Sequence, residues 1–196
     1  MDRGVLVSAS PEELTAARAA LLEELQEHAL LRGDFVLASG RQSSYLIDAK
    51  KAIMQPRGFM AMGQLVAAEA ELRGATAVGG MTMGADPIAC SALAGGADVK
   101  AFFVRKEPKG HGAGKQIEGP DLVPGEKCLM VEDVVTTGGS TVRAIEVMQA
   151  AGYVVVGVVG ICDRLAGGGA ALEAAAGAPF TALTTIDEVH PDRDDR

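Results

Sequence analysis

The stretch Cys128-Leu129-Met130-Val131-Glu132-Asp133-Val134-Val135-Thr136-Thr137-Gly138-Gly139-Ser140-Thr141 decides how the chain is read. Four apolar residues predict a short buried strand that ends at two adjacent acids. A turn of small and hydroxyl residues follows, and Val142, Ile145, Val147 and Met148 then resume at roughly helical spacing. A strand feeding a helix through such a turn leaves backbone N–H groups free at the helix start, where the dipole favours an anion. Thr136, Thr137, Ser140 and Thr141 add hydroxyl donors, and Gly138 and Gly139 let a ligand come close to the backbone. Two carboxylates beside such a cup would repel a bare phosphate. They make sense as acceptors for sugar hydroxyls or as partners of a divalent cation, and a ribose 5-phosphate satisfies both halves.

Downstream, Tyr153 to Ile161 is a near-continuous β-branched run, the pattern of a strand buried on both faces. It delivers Asp163-Arg164 to its carboxyl end, where an arginine can grip a carboxylate through two parallel hydrogen bonds. Gly167 to Gly177 reads as an Ala-rich helix, Pro179 to Leu183 as a last strand, and Pro191 to Arg196 as a solvated tail. Upstream, Ala75 to Gly80 predicts another buried strand. It runs through Met81-Thr82-Met83-Gly84-Ala85-Asp86-Pro87 into an apolar helix, a second glycine-bearing strand–loop–helix junction. Lys100 to Arg105 is a third strand, placing Arg105 and Lys106 at the carboxyl end where parallel sheets bind ligands. Beyond it, Gly110, Gly112 and Gly114 alternate with no apolar period, which predicts a mobile, cationic segment able to close over a pyrophosphate. Its Gly114-Lys115 ending is not a nucleotide P-loop: the spacing is one residue short and Gln116 stands in place of Ser or Thr.

At the amino end, Ser10-Pro11-Glu12-Glu13 predicts a capped helix start. Leu14, Ala17, Leu21, Leu25 and Ala29 form one apolar face, and Gly33 is the expected helix end. Phe35 to Asp48 reads as two short strands around a glycine turn, and Pro56 to Leu72 as a helix ended by Gly74.

The chain has 196 residues, 48% hydrophobic and 22% charged, enough for one globular domain over 1–196. Its net charge of −8 argues against nucleic acid. Yet Lys100, Arg105, Lys106, Lys109 and Lys115 face only Glu107 across residues 100–115, so an acidic protein carries one basic island suited to a small polyanion. No apolar run spans a membrane and no signal-peptide pattern opens the chain. Cys90, Cys128 and Cys162 lie far apart in apolar settings and read as reduced core thiols of a cytoplasmic protein.

The 128–141 stretch resembles the phosphoribosyl pyrophosphate (PRPP) motif of type I phosphoribosyltransferases. Arg105-Lys106-x-x-Lys109-x-His111-Gly112 resembles the catalytic lid of orotate phosphoribosyltransferases, and Phe35-x-Leu37-x-Ser39-Gly40 with Ser43-x-Tyr45 resembles their N-terminal hood. The resemblance implies an α/β fold with a central, mainly parallel sheet covered by helices on both faces. It adds a small hood, mainly within 1–50, and a flexible lid at about 106–120. It implies PRPP binding by Arg105, Lys106, Lys109, His111, Glu132, Asp133, Val134, Val135, Thr136, Thr137, Gly138, Gly139 and Ser140. Lys109 and His111 would be catalytic, and orotate would sit on Thr136 and Arg164. Mg²⁺ would be held mainly through PRPP with no protein ligand assigned, and the partner would be a second copy sharing active sites.

Two departures stand out: Ala38 and Met81-Thr82-Met83 occupy positions where many relatives carry lysine, and Lys50 or Lys51 are the candidate substitutes. A non-catalytic PRPP-binding regulator and a phosphoribosyltransferase for another base share the PRPP motif. The first has no use for Lys109 and His111, and the second lacks this hood and lid.

Overall fold

The computed structural model describes residues 9–36, 42–108 and 116–193. Helix α1 (Pro11–Glu24) starts where the sequence places it, with the Ser10 hydroxyl accepting from the Glu13 N–H and the Glu13 carboxylate accepting from the Ser10 N–H. It does not run to Gly33. A π-helical turn, Leu25–Ala29, widens the last coil, and the chain enters strand β1 (Leu30–Val36) directly. Leu25 and Ala29 stay fully buried through that turn, so core packing sets the exit and Gly33 lies inside the strand. Strand β2 (Gln42–Ile47) pairs antiparallel with β1 to form the hood hairpin. Residues 37–41 at its tip, including Ala38, lie outside the described residues.

Short α2 (Lys50–Ile53) and α3 (Pro56–Leu72) lead into β3 (Ala77–Met81), α4 (Ala85–Ala94) and β4 (Lys100–Val104). A two-residue edge strand, β5 (Ile117–Glu118), pairs antiparallel with β4. The stretch expected as lid therefore begins returning to the sheet by Gln116, whose carbonyl accepts the Arg105 N–H at 2.8 Å. Then come β6 (Lys127–Val135), α5 (Gly139–Ala150), β7 (Val154–Asp163), α6 (Gly168–Ala176), β8 (Phe180–Thr185) and α7 (Ile186–Val189). The sheet order is β5-β4-β3-β6-β7-β8, parallel except for β5. This is the expected α/β architecture with a parallel centre.

The pleat sorts the core into two layers. Leu129 and Val131 point to the side of α1, α3 and α4, while Cys128 and Met130 point to α5 and α6. Strand β6 is longer than expected, because it continues through Glu132 and Asp133 to Val135. Cys128 and Cys162 are buried, and burial pushes both thiols up to about 12. Cys90 is exposed, contrary to expectation, because Ile88, Ala89 and Ala92 supply the buried face of α4. The tail is tied down as far as Arg193, whose guanidinium donates to Asp187 at 2.6 Å. Among the described residues, no helix is long and apolar enough to cross a membrane.

Candidate active site

The carboxyl ends of β3, β4, β6 and β7 release four segments at one edge of the sheet, and these hold the residues singled out from sequence. After β6, Thr136 to Gly138 form the turn into α5. Gly138 sits at φ +77°, a left-handed conformation that glycine adopts freely, and no side chain caps the helix. The first-turn N–H groups therefore face the loop as an anion cup. Thr137 and Gly139 are exposed, and Thr136 and Ser140 are half-buried.

Glu132 and Asp133 lie within β6, and neighbours on a strand must point to opposite faces. Glu132 turns toward α5, where its carboxylate accepts the hydroxyls of Ser140, at 2.9 Å, and Thr141. It is 7% exposed. Burial and then the neighbouring Asp133 hold its carboxyl well above the usual range, against the pull of the two hydroxyls. Asp133 turns the other way, toward the β3–α4 loop and α2. There Lys50 Nζ donates to its Oδ2 at 3.2 Å and also pairs with Asp48 Oδ1 at 2.9 Å. Burial opposes the Lys50 charge, yet the two aspartates together raise its pKa above the ordinary lysine value. Of the two candidate substitutes for the missing lysines, the structure brings Lys50 to the acid pair and leaves Lys51 exposed.

Gly84 backs onto Asp133 so closely that a Cβ there would lie 2.5 Å from Oδ1. The rest of the β3–α4 loop, Thr82 and Met83, lines a cavity of about 450 Å³ together with Arg105, Lys106 and Glu107. The basic end of β4 and the second glycine loop thus form one site. Gln116 closes the stem of the intervening segment, its side-chain N–H donating to the Arg105 carbonyl at 2.9 Å. Lys109 and His111 lie outside the described residues.

Arg164 follows β7 and is anchored beside the phosphate loop, because its N–H donates to the Val135 carbonyl at 2.8 Å. Asp163 caps the turn, accepting from the Leu165 N–H, and Leu165 takes a positive φ of 55°. The Arg164 guanidinium crosses to the hood, where Nη2 donates to the Tyr45 hydroxyl at 3.1 Å. Sequence reasoning gave Tyr45, Gly84 and His190 no individual role. A glycine one residue before a helix was the visible signal for Gly84, whereas nothing local marks Tyr45 or His190.

Among the described residues, no group of three or more His, Cys, Asp or Glu side chains is placed to hold a metal. Asp48 and Asp133 both face the Lys50 ammonium. The donor set fits a magnesium ion carried on substrate phosphates, touching one or two carboxylates at most. A separate cavity of about 410 Å³, lined by Gln64, Glu71, Thr76 and Asp98 among others, opens at the opposite, amino-terminal ends of β3 and β4.

Residues 61–175 match the family model of the phosphoribosyl transferase domain. An orotate phosphoribosyltransferase of Rhodopirellula baltica is 48% identical over 86% of this chain and 91% of its own length. That of Thermosynechococcus vestitus is 44% identical over 91% of this chain and 95% of its own. Among solved structures, the orotate phosphoribosyltransferase of Mycobacterium tuberculosis in complex with PRPP matches with a TM-score of 0.74 at 33% identity. The match covers 88% of this chain and 98% of that one. On these likenesses the chain belongs to the phosphoribosyltransferases, and among them to the orotate phosphoribosyltransferase family.

Proposed function

We propose that the chain transfers the 5-phosphoribosyl group of PRPP to orotate, giving orotidine 5′-monophosphate and pyrophosphate. The observation that carries this reading is the convergence of an uncapped helix start, an acid pair and an anchored arginine at one sheet edge. Thr136 to Ser140 take the 5′-phosphate, with Val134 and Val135 supplying the strand end that holds the loop. Asp133, the more open acid, accepts ribose hydroxyls. Glu132 fastens Ser140 and Thr141 through one oxygen and so governs how firmly the cup is set.

Orotate lies between Thr136 and Arg164, its carboxylate on the guanidinium. Its ring nitrogen attacks C1′ as the bond from C1′ to the pyrophosphate oxygen breaks, and the nitrogen's proton is lost to solvent. Positive charge develops on the ribose and negative charge on the leaving group, so cations that meet the diphosphate late are worth more than those that bind it early. Arg105 and Lys106 line that end of the site, and Thr82 and Met83 shape it. Lys109 lies four residues beyond Arg105, within about 14 Å of extended chain, and His111 lies five before Gln116. The family resemblance assigns both to the departing diphosphate, and with it a homodimer that shares its sites. Magnesium, when bound to PRPP, neutralises the diphosphate.

The deciding assay follows loss of orotate absorbance on adding PRPP and Mg²⁺, with uracil and hypoxanthine as controls. Turnover of either control in preference to orotate rejects the assignment. Lys109→Ala should lower kcat far more than PRPP affinity, and equal losses would confine Lys109 to ground-state binding.

A further inference from the structure

The Arg164 guanidinium is held by a hood residue that has no part in the reaction as set out above. Tyr45 is 3% exposed, on β2, and its hydroxyl accepts from Arg164 Nη2 at 3.1 Å. The guanidinium carbon also lies 5.2 Å from the Tyr45 ring centroid, within cation–π range. The ring itself is set edge-on against His190, with centroids 5.0 Å apart. Three segments far apart in sequence therefore fix one planar cation.

We infer that Tyr45 is a positioning residue for substrate recognition, orienting Arg164 before the base arrives. This rests on the assignment of Arg164 to the orotate carboxylate. A guanidinium has two edges able to grip a carboxylate bidentately, and each Nη2 proton belongs to one of them. Giving one Nη2 proton to the phenol closes one edge and leaves the other open, so Tyr45 selects which edge meets the base. An arginine held this way has already lost rotamer freedom that binding would otherwise have to remove. The hood thereby acts on base selection through Arg164.

The test uses the full-length enzyme and steady-state kinetics with each substrate varied. Tyr45→Phe keeps the ring and its contact with His190 while removing the acceptor. The expected result is a rise of roughly tenfold in the KM for orotate, with kcat at saturating orotate and the KM for PRPP within about twofold of the parent. In an Arg164→Ala background the same substitution should change nothing further. If Arg164→Ala raises the orotate KM but Tyr45→Phe does not, the positioning role is overturned and the arginine assignment survives. If Arg164→Ala leaves the orotate KM unchanged, both fall. Equal rises in both KM values with a lowered melting temperature would make Tyr45 a packing residue and overturn the inference.

Discussion

Replacing Gly84 with alanine should cripple PRPP binding without unfolding the protein. Gly84 has φ −62° and ψ −40°, an ordinary right-handed helical conformation, so alanine meets no backbone penalty there. Reduced freedom of the unfolded chain favours the variant by about 0.4–1 kcal/mol. The difficulty is the neighbour. A Cβ would stand 2.5 Å from Asp133 Oδ1 and 2.7 Å from Cγ, whereas ordinary contact begins near 3.4 Å. The carboxylate must therefore retreat by about 0.9 Å, roughly the margin between a good hydrogen bond and none. It is held by Lys50 on one oxygen and by the Val134 N–H, at 2.9 Å, on the other, so the retreat breaks an existing arrangement as well as a prospective one. A lost hydrogen bond to a charged acceptor is worth about 1.5–3 kcal/mol, or about ten- to a hundredfold in PRPP Kd. Calorimetric titration of PRPP reads the affinity and thermal unfolding reads the fold. In an Asp133→Ala background the alanine at 84 should cost little more, since the group it displaces is gone. A Gly84→Ala protein that binds PRPP within twofold of the parent, with an unchanged melting temperature, would refute the claim that Asp133 carries the ribose contact.

Three further expectations follow from other parts of the fold. Lys50→Ala should weaken PRPP binding by about tenfold, because it leaves Asp48 and Asp133 facing each other without a cation. Lys51→Ala should leave PRPP binding within twofold in the same titration, and a reversed order would assign the missing positive charge to Lys51. The Glu126 carboxyl is held down to about 2 by Lys100, by the Val123 N–H and by Thr76. Its contribution, at most about 3 kcal/mol, is complete above the ordinary carboxylate pKa of 4.5 and is lost as pH falls toward 2. Lys100→Met should therefore lower the melting temperature more at pH 7 than at pH 3, and equal losses would refute the linkage. Gly63→Ala should cost about 1–3 kcal/mol of stability with both KM values unchanged. A Cβ there would sit 2.4 Å from the Ser91 carbonyl across the α3–α4 contact, and an unaltered denaturation midpoint would show that the two helices can separate freely.

The order of elements was legible because the apolar periods change where the elements change. The errors lie where a distant partner overrides a local rule. Polar residues stop strands in a sequence reading, so β6 was expected to end at Glu132 and Asp133. It continues because Glu132 finds hydroxyls eight and nine residues on, while Asp133 finds Lys50, 83 residues back. Gly33 carried the local mark of a helix end, but Leu25 and Ala29 needed burial more than the helix needed a glycine, and the π turn met that need. Strand β5 has two residues and no period to detect, and it exists because the edge of β4 offers a ladder. At the site, the phosphate cup was legible because its chemistry lies within one contiguous loop. The Arg164–Tyr45 contact was not, since it joins residues 119 positions apart and nothing local pairs them.

The adjacent acids do more than offer acceptors to a ribose: each also fastens a neighbouring segment. The pleat gives the two carboxylates different partners. Here the separation has a use. Glu132 fastens the first turn of α5 on one face, and Asp133 fastens Lys50 and abuts Gly84 on the other. A ligand whose 5′-phosphate occupies the cup and whose pyrophosphate lies along the β3–α4 loop must lay its ribose across the strand between them. On the proposed reading, each acid then neighbours one end of the same molecule: Glu132 through Ser140, Asp133 through Lys50. Asp48 and Asp133 hold the Lys50 ammonium between them, so a positive charge stands beside the acid pair. Lys50, at the foot of the hood, is thus the better candidate for the positive charge that Ala38 and Met81–Met83 do not supply.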